Sequence, residues 1–173
     1  MKRLAVILPY NKEHIENFTE HFRATVQEGD DLYYKLVFIK QKSNRPLNKG
    51  KLFNIGYMLH KDSFDYFCFH DVDMLPEDKT CDYSWVDKPT HLAARLSKFN
   101  YRLVYPEYFS GVTLFNKEHF EWINGYSNKY WGWGFEDDDL LYRCRKRGVP
   151  LQEQWTGSSK DKVPRYVSTM EFN

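Results

Sequence analysis

Residues Tyr130 to Asp139 read Tyr-Trp-Gly-Trp-Gly-Phe-Glu-Asp-Asp-Asp, two indoles on a glycine-jointed stretch that runs into four consecutive carboxylates. Adjacent acids repel one another, and the glycines leave Trp131 and Trp133 poorly fixed for rigid packing. Together they suit a surface that closes over a polar ligand. The same acids suit the first turn of a helix, where each offsets the helix dipole by roughly 0.3–1 kcal/mol. Leu140, Leu141 and Cys144 give that helix an apolar side, Arg143, Arg145, Lys146 and Arg147 fill its last turns, and Gly148 ends it. The pattern predicts a helix over about 136–147 whose acidic mouth is available for chemistry.

A second run, Tyr66-Phe-Cys-Phe-His-Asp-Val-Asp-Met-Leu-Pro-Glu-Asp78, closes an apolar, aromatic stretch from Phe64 to Phe69 that reads as a buried strand. Polar chemistry begins at Asp71. Alternate residues of an extended chain face the same way, so Asp71 and Asp73 address one site while Val72 turns into the protein. In open α/β sheets ligands bind at the carboxyl edge of the strands, where this pair falls. Hard carboxylate oxygens suit Mn2+ or Mg2+ and, through the ion, phosphate oxygens. By itself Asp-x-Asp reads equally as a solvated turn in a chain with 24 acidic residues; its position behind a buried strand singles it out.

Periodicity supplies the scaffold. Strands are expected at 3–8, 33–40, 64–69, 91–97 and 111–115, helices at 12–27, about 50–60, 117–123 and 136–147, and loops at 45–50 and 74–90. This β-α-β-α-β order predicts an α/β fold with a mostly parallel central sheet flanked by helices. The 173 residues fit one domain, placed at 1–154, followed by a tail at 155–173 without clear periodicity. Aromatic residues make up 18% of the chain, which suits either stacking on sugar rings or an aromatic core. A net charge of +1 excludes the long-range field expected of a nucleic-acid or anionic-membrane partner. No run approaches the about 18 apolar residues of a membrane span. Leu4 to Leu8 is too short for a signal-peptide core before Pro9. Cys68, Cys81 and Cys144 lack metal spacing and read as free thiols, so a soluble, cytoplasmic protein is expected, its oligomeric state left open.

Phe-x-Asp-Val-Asp-Met-Leu-Pro, then Tyr-Phe-Ser-Gly-Val, then Ile-Asn-Gly-Tyr-Ser-Asn-Lys-Tyr-Trp-Gly-Trp-Gly-x-Glu-Asp-Asp-Asp, in this order, resemble the β-1,4-galactosyltransferase family of inverting, nucleotide-sugar-dependent enzymes. The match runs from about Leu47 to Gly148 and more weakly from the first strand. The resemblance implies a single Rossmann-like GT-A domain. It implies that Asp73 binds Mn2+ beside the donor diphosphate, that Asp71 contacts the nucleotide sugar, and that Trp133 closes over donor and acceptor sugars. Asp137 becomes the general base, with Glu136 and Asp138 holding donor and acceptor hydroxyls. Tyr108 lies at the donor sugar's edge and favours galactose over its N-acetylated relative. Pro9 and Gly111 join the donor side, and Phe135 borders the acceptor, larger than the glycine usual there.

The chemistry stands beside the resemblance. An acceptor hydroxyl that displaces a nucleoside diphosphate needs a base, which Asp137 supplies, and a positive charge for the leaving group, which a metal at Asp73 supplies. Lys49 and Lys51, next to Asn48, are placed to pair with donor phosphates or to lie in solvent. Departures are equally plain. The family's Met and His metal ligands and Arg-Phe acceptor grip have no counterpart in Trp155-Thr-Gly-Ser-Ser-Lys-Asp161, and no His follows His119. The arginine-rich motif after the first strand is reduced to Pro9-Tyr10-Asn11-Lys12. Without the animal-type anchor and stem, a short soluble microbial or viral enzyme is expected. It would move a hexose, galactose from UDP-galactose first, onto a glycan hydroxyl. The alternatives are a catalytically inactive sugar-binding relative, use of UDP-N-acetylgalactosamine, and a metal-dependent phosphohydrolase or nucleotidyltransferase.

Overall fold

The computed structural model describes residues 1–10, 15–29, 31–152 and 163–169. Its centre is strand β1 (Arg3–Tyr10), flanked by β2 (Tyr33–Lys40) and β3 (Tyr66–His70), both parallel to it. Leu4 to Leu8 are fully buried, as a parallel strand covered on both faces must be. Period-2 alternation then divides the core. Leu4, Val6 and Leu8 face one layer with Phe18 and Phe22 of α1 (Ile15–Thr25), and Ala5 and Ile7 face the other with Phe53 and Tyr57 of α2 (Lys49–His60). Gly56 is what lets α2 lie this close, because a Cβ there would stand 2.4 Å from Ile7 Cγ2.

After β3 the sheet changes direction. In chain order follow β4 (Met74–Pro76), β5 (Thr90–His91), β6 (Arg95–Leu96) and β7 (Val112–Asn116). β7 runs antiparallel to both β3 and β5, giving the order β2-β1-β3-β7-β5. The sheet is therefore mixed, parallel across β2-β1-β3 and antiparallel beyond. The strand expected at 91–97 is divided between β5 and β6. Helices α3 (Lys117–Trp122) and α4 (Glu136–Lys146) cover the α2 face through Phe120, Leu140, Leu141 and Cys144.

The expected irregular tail contributes a strand. β8 (Arg165–Ser168) joins β4 and β6 in a second sheet of order β4-β8-β6, with Tyr166 fully buried. Four residues are too few for a period to show in the sequence. The Trp155–Asp161 stretch, where the family's metal and acceptor residues were sought, and Asn11 and Lys12 lie outside the described residues.

Most of the aromatic content is core. Phe53, Phe69, Phe120 and Tyr126 pack as a connected group with ring centroids 4.4–6.1 Å apart. All three cysteines are buried and free, and among the described residues no helix is long and apolar enough to cross a membrane.

Two histidines are buried inside this frame. His70 donates from Nδ1 to the Asp71 carbonyl at 2.8 Å and accepts at Nε2 from Tyr83, whose hydroxyl in turn accepts from Tyr166, both at 2.9 Å. His91 donates from Nε2 to the Ser110 carbonyl at 2.7 Å. Burial pushes both imidazoles down to about 4 from the usual 6.5. A folded pKa below the unfolded one means that the unfolded chain takes up protons first. Stability is thus full above pH 6.5 and falls as pH drops toward 4, on the order of 1.4 kcal/mol per pH unit for each histidine. Urea unfolding at pH 7 and pH 5 should show this loss, and a His91→Gln protein should show a shallower one.

Candidate active site

The local structure explains why two distant carboxylate groups meet. Asn48 caps α2, its side chain accepting from Lys51 N at 2.9 Å, and its amide reaches Asn128 O at 2.8 Å. This fixes the first residue of α2, Lys49, over the carboxyl end of β3. On the other side, α4 starts with its acids pointing in different directions. Glu136 is buried and Asp137 nearly so, both turned to Lys49; Asp138 is exposed and accepts from Tyr105 at 3.1 Å; Asp139 pairs with Arg143 at 2.6 Å along the helix.

Lys49 Nζ therefore stands 3.2 Å from Asp71 Oδ1, 2.9 Å from Glu136 Oε1 and 2.9 Å from Asp137 Oδ2. Burial works against its charge, yet Asp137, Asp71 and Glu136 together hold its pKa well above the ordinary lysine value. The same burial raises Asp71 to about 7, with Lys49 pulling the other way. Lys49 is thus neither a solvated lysine nor, in this structure, free for phosphate. Lys51, two residues on, is exposed.

Asp73 is the second acid of the strand edge. Its Oδ2 is buried without a partner among the described residues, as is Ser168 Oγ. Its carbonyl accepts from Thr169 N at 2.9 Å, so β8 anchors its backbone. No group of three or more His, Cys, Asp or Glu gathers as a metal cage among the described residues.

The remaining residues singled out in the sequence fall at three distances from this centre. Tyr108 and Gly111 belong to it: Tyr108 is buried against His91, and Gly111 O accepts from Asp71 N at 2.8 Å. Gly111 has φ +90 and Ala93 Cβ only 3.3 Å from where a side chain would begin, so glycine is required there. Pro9 sits at the carboxyl end of β1, paired to Ile39 of β2 and beyond the last rung to β3, Ile7↔Phe69. Trp133 and Phe135 stand outside the cluster, 92% and 72% exposed. Their loop is tied down at Gly132 N, which donates to Leu47 O at 2.8 Å, and at Trp131, whose ring lies under Arg45. Phe135 is held at φ 72, a left-handed backbone that only glycine adopts without strain.

Sequence reasoning missed Ser110. Its hydroxyl donates to Asp137 Oδ2 at 2.6 Å. The residue lies between two positions already singled out, Tyr108 and Gly111, and a hydroxyl in that loop was the available signal.

Comparison with known proteins places the chain among sequence and structural relatives. Residues 1–85 match a family model described as the N-terminal region of glycosyl transferase group 7, and residues 90–167 one described as the N-terminal domain of galactosyltransferase. The chain is 39% identical to beta-1,4-galactosyltransferase 4 of Rattus norvegicus over 177 aligned residues, 100% of this chain and 49% of that protein. It thus spans about half the length of the curated relatives it matches. The catalytic domain of Drosophila beta1,4galactosyltransferase 7 in complex with xylobiose superposes with a TM-score of 0.82 at 26% identity, over 99% of this chain and 72% of that one. A mutant of that enzyme in complex with manganese, UDP-Gal and xylobiose gives the same score and coverage at 25% identity.

Lys49 carries one positive charge among three carboxylates, so its removal should cost more than its own packing. Lys49→Met is expected to destabilise the protein by about 3 kcal/mol at pH 8, where the carboxylates are left ionised and unpaired. The deficit relative to the parent should shrink at pH 5.5 as Asp71, raised by burial and no longer pulled down by Lys49, takes up a proton. Chemical denaturation of both proteins at both pH values measures it.

Proposed function

The chain belongs to the β-1,4-galactosyltransferase family, and on that footing we propose that it transfers galactose from UDP-galactose to a hydroxyl of a glycan acceptor, forming a β-linkage with inversion. One observation carries the reading: Asp137 of α4 and Asp71 of the β3 edge share the Lys49 ammonium. A candidate base thereby stands beside the strand edge at which α/β folds hold their ligands. The Drosophila relative crystallised with UDP-Gal and xylobiose supports this donor and a saccharide acceptor.

The residues divide the work as follows. Asp137 takes the proton of the acceptor hydroxyl as its oxygen bonds to the anomeric carbon. The bond from that carbon to the diphosphate breaks on the opposite face, and its electron pair leaves with UDP. General-base assistance of this kind is worth about 10²–10⁴ in rate. Glu136 and Asp71, on the same lysine, hold donor hydroxyls and release part of the Lys49 charge to the incoming substrate. Asp138, exposed beside Tyr105, faces the acceptor. Tyr108 borders the donor sugar, Gly111 gives it a close backbone, and Pro9 closes the nucleotide end of the sheet edge. Trp133, fully presented to solvent, supplies a ring for a sugar's apolar face, and Phe135 narrows the acceptor approach.

The residues present fit a divalent cation of oxygen preference. Asp73, whose buried Oδ2 has no partner among the described residues, would hold it at the strand edge, with diphosphate oxygens and water as the further oxygen ligands such an ion would take. When bound, Mn2+ neutralises charge on the departing diphosphate. Three buried free thiols support a reducing compartment such as the cytoplasm.

Incubation with UDP-galactose, Mn2+ and a panel of saccharide acceptors, following UDP release and product anomeric configuration, tests the reaction. Transfer with inversion is expected. Release of UDP and free galactose alone would mean a hydrolase, and binding without turnover an inactive relative. Asp137→Asn should lower kcat by about 10²-fold or more while UDP-galactose affinity stays near the parent's. Turnover within tenfold of the parent would remove Asp137 from the role of base. Asp73→Ala should abolish the gain in UDP affinity that Mn2+ brings, read by calorimetry; an unchanged gain would place the ion elsewhere.

A further inference from the structure

We infer that Ser110 is the positioning residue of the base, fixing Asp137 Oδ2 so that Oδ1 is the oxygen that receives the acceptor's proton. The inference deepens the transferase reading and rests on it. Asp137 Oδ2 accepts from Ser110 Oγ at 2.6 Å and from Lys49 Nζ at 2.9 Å. An ionised carboxylate only accepts, so Ser110 commits its single hydroxyl proton to it. Oδ1 has no protein partner among the described residues.

The serine is well placed to direct another group because its own backbone is held. Its carbonyl accepts from His91 Nε2 at 2.7 Å and from Val112 N at 3.2 Å, and the next carbonyl, Gly111 O, accepts from Asp71 N at 2.8 Å. The hydroxyl is thus fixed relative to the β3 edge on which the donor rests. Lys49 brings charge to Asp137 on a long, rotatable stem, whereas Ser110 brings direction.

Steady-state kinetics of Ser110→Ala and Ser110→Thr with UDP-galactose and the best acceptor of the panel test this, together with melting curves and crystal structures of the parent and the alanine protein. Ser110→Ala should melt with the parent and lose about tenfold in kcat, with KM for UDP-galactose within about twofold, as expected when a charge-assisted hydrogen bond to the base is lost. Ser110→Thr, which keeps the hydroxyl, should recover most of the rate. The Asp137 carboxylate should rotate away from its parental orientation in the alanine crystal. Parental kcat in Ser110→Ala, a loss confined to KM, or a threonine protein as impaired as the alanine one would overturn the assignment. If the parent transfers no galactose, the proposed reaction falls. The crystal comparison still decides the positioning: a carboxylate unmoved in Ser110→Ala refutes it and a rotated one supports it.

Discussion

One ammonium group joins the two halves of the site. Lys49 Nζ lies within 3.2 Å of carboxylates from the end of β3 and from the first turn of α4. Three acids in a half-dry pocket repel strongly, and only the shared cation makes their assembly tolerable. Everything that positions Lys49 therefore positions the chemistry: the Asn48 cap, the Asn48–Asn128 bond that ties α2 to the stretch before the Trp loop, and Gly56, which lets α2 settle onto Ile7. The arrangement is also labile by construction, because any ligand bearing hydroxyls or negative charge competes for the same cation.

Around that centre the fold separates rigid from exposed parts. Asp137, the strand-edge acids and Tyr108 stand on α4, at the end of β3 and at the entry to β7, all packed against buried aromatics. The Trp loop lies outside, with Trp133 92% exposed and Phe135 at φ 72. A non-glycine residue in left-handed conformation costs about 1–3 kcal/mol and persists where the surroundings impose it. Here it turns the chain sharply enough for the four acids behind it to begin a helix. The packed part carries the clustered acids and Lys49, and the exposed part carries the two aromatic rings of the Trp loop.

Much of this was legible in the sequence because apolar runs and charge switches are local. The buried run before Asp71 placed the carboxylates at a strand edge, and the acids before Leu140 placed a helix start. What was not legible depends on partners distant in the chain. Lys49 finds its acids 22 and 88 residues away, and a lone lysine carries no trace of that. Strand direction is likewise silent: the pattern at 111–115 announces a strand but not that β7 runs antiparallel to β3. β8 escaped because four residues with a single fully buried side chain, Tyr166, resemble a loop. Ser110 escaped because the loop was read for its aromatic and its glycine.

β8 has a consequence for the order in which the site is made. Thr169 bonds the backbone of Asp73 across 96 residues of chain, and contacts so separated in sequence form late. On the ribosome, where chains emerge from the N-terminus at about 5–20 residues per second, β1 to β3, α2 and then α4 can assemble while β8 is still unmade. Asp137 and Lys49 are thus set before the Asp73 edge is tied down. A nascent chain stalled before residue 165 would hold Asp137 and Lys49 together while the backbone of Asp73 still lacked its partner in Thr169.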